Sequence, residues 1–99
     1  AMFKGCSNLA DLAGLADWDM GNVTDMSNVF ENCSKLTDLT PLANWQTGKV
    51  NNMSAMFMNC VKLTNTVGIN SWNTSKVRYF EKMFTNCPSY PVWYNTYYN

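Results

Sequence analysis

Apolar residues fall on about every third position along most of this chain. Between 33 and 60 they are Cys33, Leu36, Leu39, Leu42 and Trp45, then Val50, Met53, Met56 with Phe57, and Cys60. The stretch 50–60 sets an i, i+3, i+6, i+7, i+10 stripe, which predicts an amphipathic helix of about ten residues. Thr47-Gly48 and Thr74-Ser75 stand where its opening turn and cap belong. The stretch 36–42 contains Pro41, with Gly14 and Gly68 in the matching places, so it predicts a short strand and a turn rather than a second helix.

The same pattern returns at a fixed step of 27. Cys6, Cys33, Cys60 and Cys87 keep that step, as do Trp18, Trp45 and Trp72, Val23, Val50 and Val77, and Phe3, Phe30, Phe57 and Phe84. Leu9, Leu36 and Leu63 follow, with Tyr90 in the fourth place. Cut at each Cys, units 6–32 and 33–59 are identical at just over half of their positions without a gap, and units 33–59 and 60–86 at about two-fifths. A partial unit, 1–5, precedes them, and 87–99 keeps the Cys and an apolar fourth residue before the pattern degenerates.

One strand and one helix per repeat cannot bury their own apolar side, so neighbouring units must stack. The predicted fold is an α/β repeat: a right-handed parallel solenoid, one short strand and one helix per 27-residue unit, forming a single domain over 1–99. Copies of Cys, Trp, Leu, Val and Phe then form ladders. Asn32, Asn59 and Asn86 form another, with their amides expected on backbone groups at the turn. Pro88, Pro91 and the aromatics after them read as a C-terminal cap, with an aromatic binding platform as the alternative. The opening Ala1-Met2-Phe3 lies midway through a unit, so a fragment or a processed piece of a longer array is expected.

These residues resemble the BspA-like leucine-rich-repeat surface proteins, a family that includes mycoplasma lipoproteins and carries W-x-x-x-x-V-x-x-M-x-x-M-F-x-x-C-x-x-L-x-x-L. Trp45, Val50, Met53, Met56, Phe57, Cys60 and Leu63 match it, as do Trp18, Val23, Met26, Phe30, Cys33, Leu36 and Leu39. Val29 and Phe80 stand where the family has Met, and Thr66 where it has a strand Leu. The resemblance implies a leucine-rich-repeat-like fold, placement on the cell surface or in secretion, and contact with a host or matrix protein.

Composition narrows the chemistry. Seven basic and seven acidic residues cancel, which gives no electrostatic case for nucleic acid or membrane surfaces, and no apolar run is long enough to span a bilayer. There is no histidine, no nucleophile elbow and no glycine-rich phosphate loop, so no enzyme, cofactor or metal site is predicted. Cysteines at this wide spacing do not fit a zinc pattern. They read as a ladder of buried thiols, with bridges between adjacent copies as the alternative. The sequons at Asn22, Asn32, Asn52 and Asn73 arise largely from the repeat itself. Six of the seven acids lie in residues 1–38, which sum to −4, while the remainder sums to +4.

The expected function is therefore a non-enzymatic protein-binding or adhesion module. Its predicted contact residues are the outward strand positions Asp11, Ala13, Asp38, Thr40, Asn65 and Val67. The alternative is a structural subunit or spacer that uses its repeat ends and tail. Trp93, Tyr94, Tyr97 and Tyr98 would then make end contacts, and the charge asymmetry would favour head-to-tail self-association.

Overall fold

A triplet rhythm of turns runs through the chain. In the computed structural model, which describes Gly5 and residues 7–99, backbone N–H groups reach back three residues again and again. Cys33 N donates to Phe30 O, Leu36 N to Cys33 O, Leu42 N to Leu39 O and Trp45 N to Leu42 O, all between 2.9 and 3.1 Å. The next copy repeats this with Cys60 on Phe57, Leu63 on Cys60, Ile69 on Thr66 and Trp72 on Ile69. Each turn ends on a buried apolar side chain, so the spacing of three is the period of the turns themselves. Short 3-10 turns stand at Ala13–Leu15, Thr40–Leu42, Val67–Ile69 and Thr96–Tyr98.

This corrects the expected α/β solenoid. Among the described residues there is no α-helix and no strand, only those 3-10 turns and three isolated parallel bridges, Asp25 to Asn52, Asn52 to Tyr79 and Asp38 to Asn65. The predicted helix over 50–60 fails because Ala55 and Asn59 hold φ values of 54° and 65°, and no right-handed helix passes through such residues. Its N–H groups leave the segment altogether. Met53 N donates to Tyr79 O, Ala55 N to Glu81 O, Phe57 N to Met83 O and Asn59 N to Thr85 O, at 2.8–2.9 Å. The predicted strand over 36–42 shrinks to one bridge because its donors alternate between the neighbouring copy (Leu39 N to Asn65 O) and its own turns. The molecule measures 31 × 28 × 22 Å, so it is a compact globule with no long axis.

The copies nonetheless lie against one another at the repeat step. Met26, Asn28, Phe30 and Asn32 donate to the carbonyls of Asn52, Ser54, Met56 and Met58, repeating the pattern one copy earlier. The Phe30, Phe57 and Phe84 rings stack with centroids 5.4 and 5.3 Å apart, and Trp45 lies parallel to Trp72 at 6.5 Å. Around these columns the core gathers Met26, Leu36, Leu39, Leu42, Val50, Met53, Met56, Leu63, Ile69 and Met83, all fully buried. The expectations resting on Phe3 and Cys6 lie outside the described residues.

The aromatic tail closes over the third copy. Tyr94 meets Phe84 edge-on at 4.9 Å, and Tyr98 and Trp93 lie against Phe80 at 5.4 and 5.9 Å. Lys82, the counterpart of Ala55, finds its acceptor in Tyr98 O at 2.7 Å. Trp93 Nε1 donates to Ile69 O, just as Trp45 donates to Leu15 O and Trp72 to Leu42 O. The tail thus supplies out of register the acceptor and the indole that a further copy would supply in register.

Candidate functional site

The predicted contact residues Asp11, Asp38 and Asn65 stand in one column and open the 3-10 turns. Each side-chain Oδ1 accepts the N–H two residues on, from Ala13, Thr40 and Val67, at 2.9–3.1 Å. Thr40 Oγ1 adds a second bond to Asp38 at 2.7 Å. Short polar side chains favour this local closure, in which the side chain mimics a backbone turn. The column lies at the surface, with Asp38 half-buried and Val67 well exposed, but one oxygen of each side chain is already taken.

The predicted end contacts divide. Tyr94 is buried, its hydroxyl donating to Asn99 Oδ1 at 2.6 Å, and Trp93 is half-buried. Burial holds the Tyr94 phenol above its ordinary range. Tyr97, at 94 % exposure, projects fully, and Tyr98 is partly open.

A concavity lies elsewhere on the surface. An open depression of about 650 Å³ is lined by Lys49, Asn51, Ser75, Lys76, Val77, Arg78 and Tyr79. Three cations line it and no carboxylate does. The repeat itself assembles them. Arg78 N donates to Asn51 O as Asn51 N donates to Thr24 O, so residues 22–25, 49–52 and 76–79 form three adjacent rows of one face. Val50 is buried beneath the face, with Val23 and Val77 half-buried, while the side chains at 22, 24, 49, 51, 76 and 78 are exposed. Lys49 Nζ reaches Asn22 Oδ1 one row back at 3.2 Å, and Tyr79 is 51 % exposed at the rim.

Sequence reasoning registered the positive second half but did not single out this cluster. Lys49 and Lys76 are one repeat apart, with Arg78 two residues further on. That spacing was the signal. It becomes a site only when the rows are known to be adjacent.

The cysteine column carries thiols at Cys60 and Cys87. Cys60 Sγ donates to Phe30 O at 3.1 Å and Cys87 Sγ to Phe57 O at 3.0 Å. The neighbouring Cys87 thiol, and then burial, push Cys60 far above the usual thiol range. The interaction with the adjacent Cys60 side chain holds Cys87 below that range. Among the described residues no group of three or more Cys, Asp or Glu converges, and no helix is long and apolar enough to cross a membrane.

The family model described as "Mycoplasma protein of unknown function, DUF285" matches residues 1–97. The chain belongs to the DUF285 family. No curated protein and no solved structure matches it. Of the resemblance, the match supports membership of this mycoplasma repeat-domain family, and it is compatible with a surface repeat protein.

Proposed function

We propose that this DUF285 chain is a non-enzymatic protein-binding module of a surface or secreted repeat protein of the BspA-like leucine-rich-repeat kind, and that its partner docks on the face of rows 49–52 and 76–79. The observation that supports this is the depression lined by Lys49, Lys76 and Arg78 with no acid among them. Cations held on adjacent rows attract carboxylates and speed encounter. Arg78 adds a planar fork suited to bidentate carboxylate contact. Tyr79 adds a rigid, half-exposed aromatic of the type enriched at interfaces. The partner is therefore a protein surface rich in Asp and Glu.

The test is binding of the whole chain to immobilised poly-glutamate at low salt. K76E/R78E is expected to weaken it at least ~10-fold. Both side chains are exposed, so the melting temperature should move by no more than about 2 °C. Binding that is unchanged in the variant would overturn the assignment of this face.

A further inference from the structure

The face that holds the depression changes sign along the stack. Its rows are 19–25, 46–52 and 73–79, joined by the bridges from Asp25 to Asn52 to Tyr79 and by the bonds from Asn51 N to Thr24 O and from Arg78 N to Asn51 O. Position by position, Asp19 becomes Gln46 and then Asn73, and Asn22 becomes Lys49 and then Lys76. Thr24 becomes Asn51 and then Arg78, and Asp25 becomes Asn52 and then Tyr79. The first row carries two carboxylates and no cation, the second one cation, and the third two cations and no carboxylate.

The carboxylates are held in place. Asp19 Oδ1 accepts Gly21 N at 3.1 Å and Asp25 Oδ1 accepts Ser27 N at 2.9 Å, which fixes each side chain while both remain exposed. The bonds from Ser27 also hold the Asp25 carboxyl below its usual range, so it stays ionised at neutral pH. The acidic first row and the basic third row lie on one side of the molecule, about 10 Å apart at two strand spacings. Contact between chain ends is not needed to bring opposite signs together.

We infer that this face pairs with the same face of a second copy turned antiparallel, so that Asp19 and Asp25 of each chain meet Lys76 and Arg78 of the other. The inference rests on the reading of this face as the binding surface, and it names the acidic partner. Turning one copy through a two-fold axis places the acidic row on the basic row twice over. Such an isologous contact closes at two chains and does not grow into a filament. Lys49, on the middle row, lies near the axis with Asn51 and Asn52, where no carboxylate opposes it. The paired face is one side of a small chain, so the pair is weak and depends on salt.

Sedimentation of the full chain across a concentration series, at low and at high salt, reads this directly. The expected result is a rise toward the mass of two chains at low salt, lost at high salt. K76E/R78E makes the face wholly acidic at both ends, and D19K/D25K makes it basic; each alone should weaken pairing at least ~10-fold. An equimolar mixture of the two variants should restore it, because every acidic row then faces a basic one. A monomer at all concentrations, or pairing that survives either reversal, would overturn the inference, as would a mass that climbs past two chains. If the wild type still binds poly-glutamate while remaining monomeric, the binding face stands and the self-pairing falls.

Discussion

Asn28, Ala55 and Lys82 hold φ values of 63°, 54° and 60°, and Asn32, Asn59 and Asn86 hold 66°, 65° and 64°. These two columns are the positive-φ residues other than glycine among the described residues. Left-handed backbone disfavours side chains with a Cβ by about 1–2 kcal/mol, least for Asn. The Asn column recovers that cost through its amides, Asn59 Nδ2 donating to Asn32 Oδ1 at 2.8 Å and Asn86 Nδ2 to Asn59 Oδ1 at 2.7 Å. Gly5 takes the same place one step earlier, at φ 75°. The ladder was legible from the sequence, but its bonding was not. The amides bond one another rather than the backbone, because each turn points its side chain along the stack. Asn59→Ala should lose about 2 kcal/mol in urea denaturation, since it forfeits both amide bonds and strains the turn. Asn59→Gly should lose less, because glycine accepts the conformation without strain.

At the scale of the element, a stripe at i, i+3, i+6 and i+7 admits two readings over a short segment. On a helix of 3.6 residues per turn, a strict spacing of three drifts by about 60° at each step and leaves the buried face. In a run of three-residue turns it does not drift. Cys33, Leu36, Leu39, Leu42 and Trp45 keep the spacing through four successive steps, which favours turns. The turn pieces also differ in tolerance where their sequences look alike. Gly14 and Gly68 both replace Pro41, and nothing in the sequence separates them. A Cβ at Gly14 would meet open space, whereas one at Gly68 would lie 2.5 Å from Thr40 Cα and 2.9 Å from Thr40 N. Gly68→Ala should therefore cost about 1–3 kcal/mol by forcing two backbones apart, and Gly14→Ala should change stability by less than about 0.5 kcal/mol. Thermal melts of the two variants check the pair; equal melting temperatures would show that the third copy does not approach the second so closely.

Over the whole molecule, stability rests on columns that cross every copy. Phe57 lies between Phe30 and Phe84, fully buried, with near-parallel rings on both sides. Phe57→Ala should cost about 3–5 kcal/mol, a large share of what a domain of this size has, and should lower the melting transition of all copies together as followed by circular dichroism. A variant that lost signal from only one copy would mean that the stack does not melt as a unit. Near the tail end of the same column, Tyr94 covers Phe84, and the tail also supplies Trp93 and the carbonyl of Tyr98.

The repeat length, the register and the membership of each column follow from the sequence alone. Identical residues at a step of 27 can bury a common side only by standing beside their own copies, so Phe with Phe, Trp with Trp and Asn with Asn is dictated before any geometry is known. Local conformation was decided by tertiary structure. Whether Met53, Ala55 and Phe57 donate within their segment or to Tyr79, Glu81 and Met83 depends on where the next copy lies. With that copy in contact, its carbonyls satisfy the donors through left-handed turns, and the helix is lost. The same adjacency gathers Lys49, Lys76 and Arg78, which belong to two different copies, around one depression, opposite in sign to the row that carries Asp19 and Asp25.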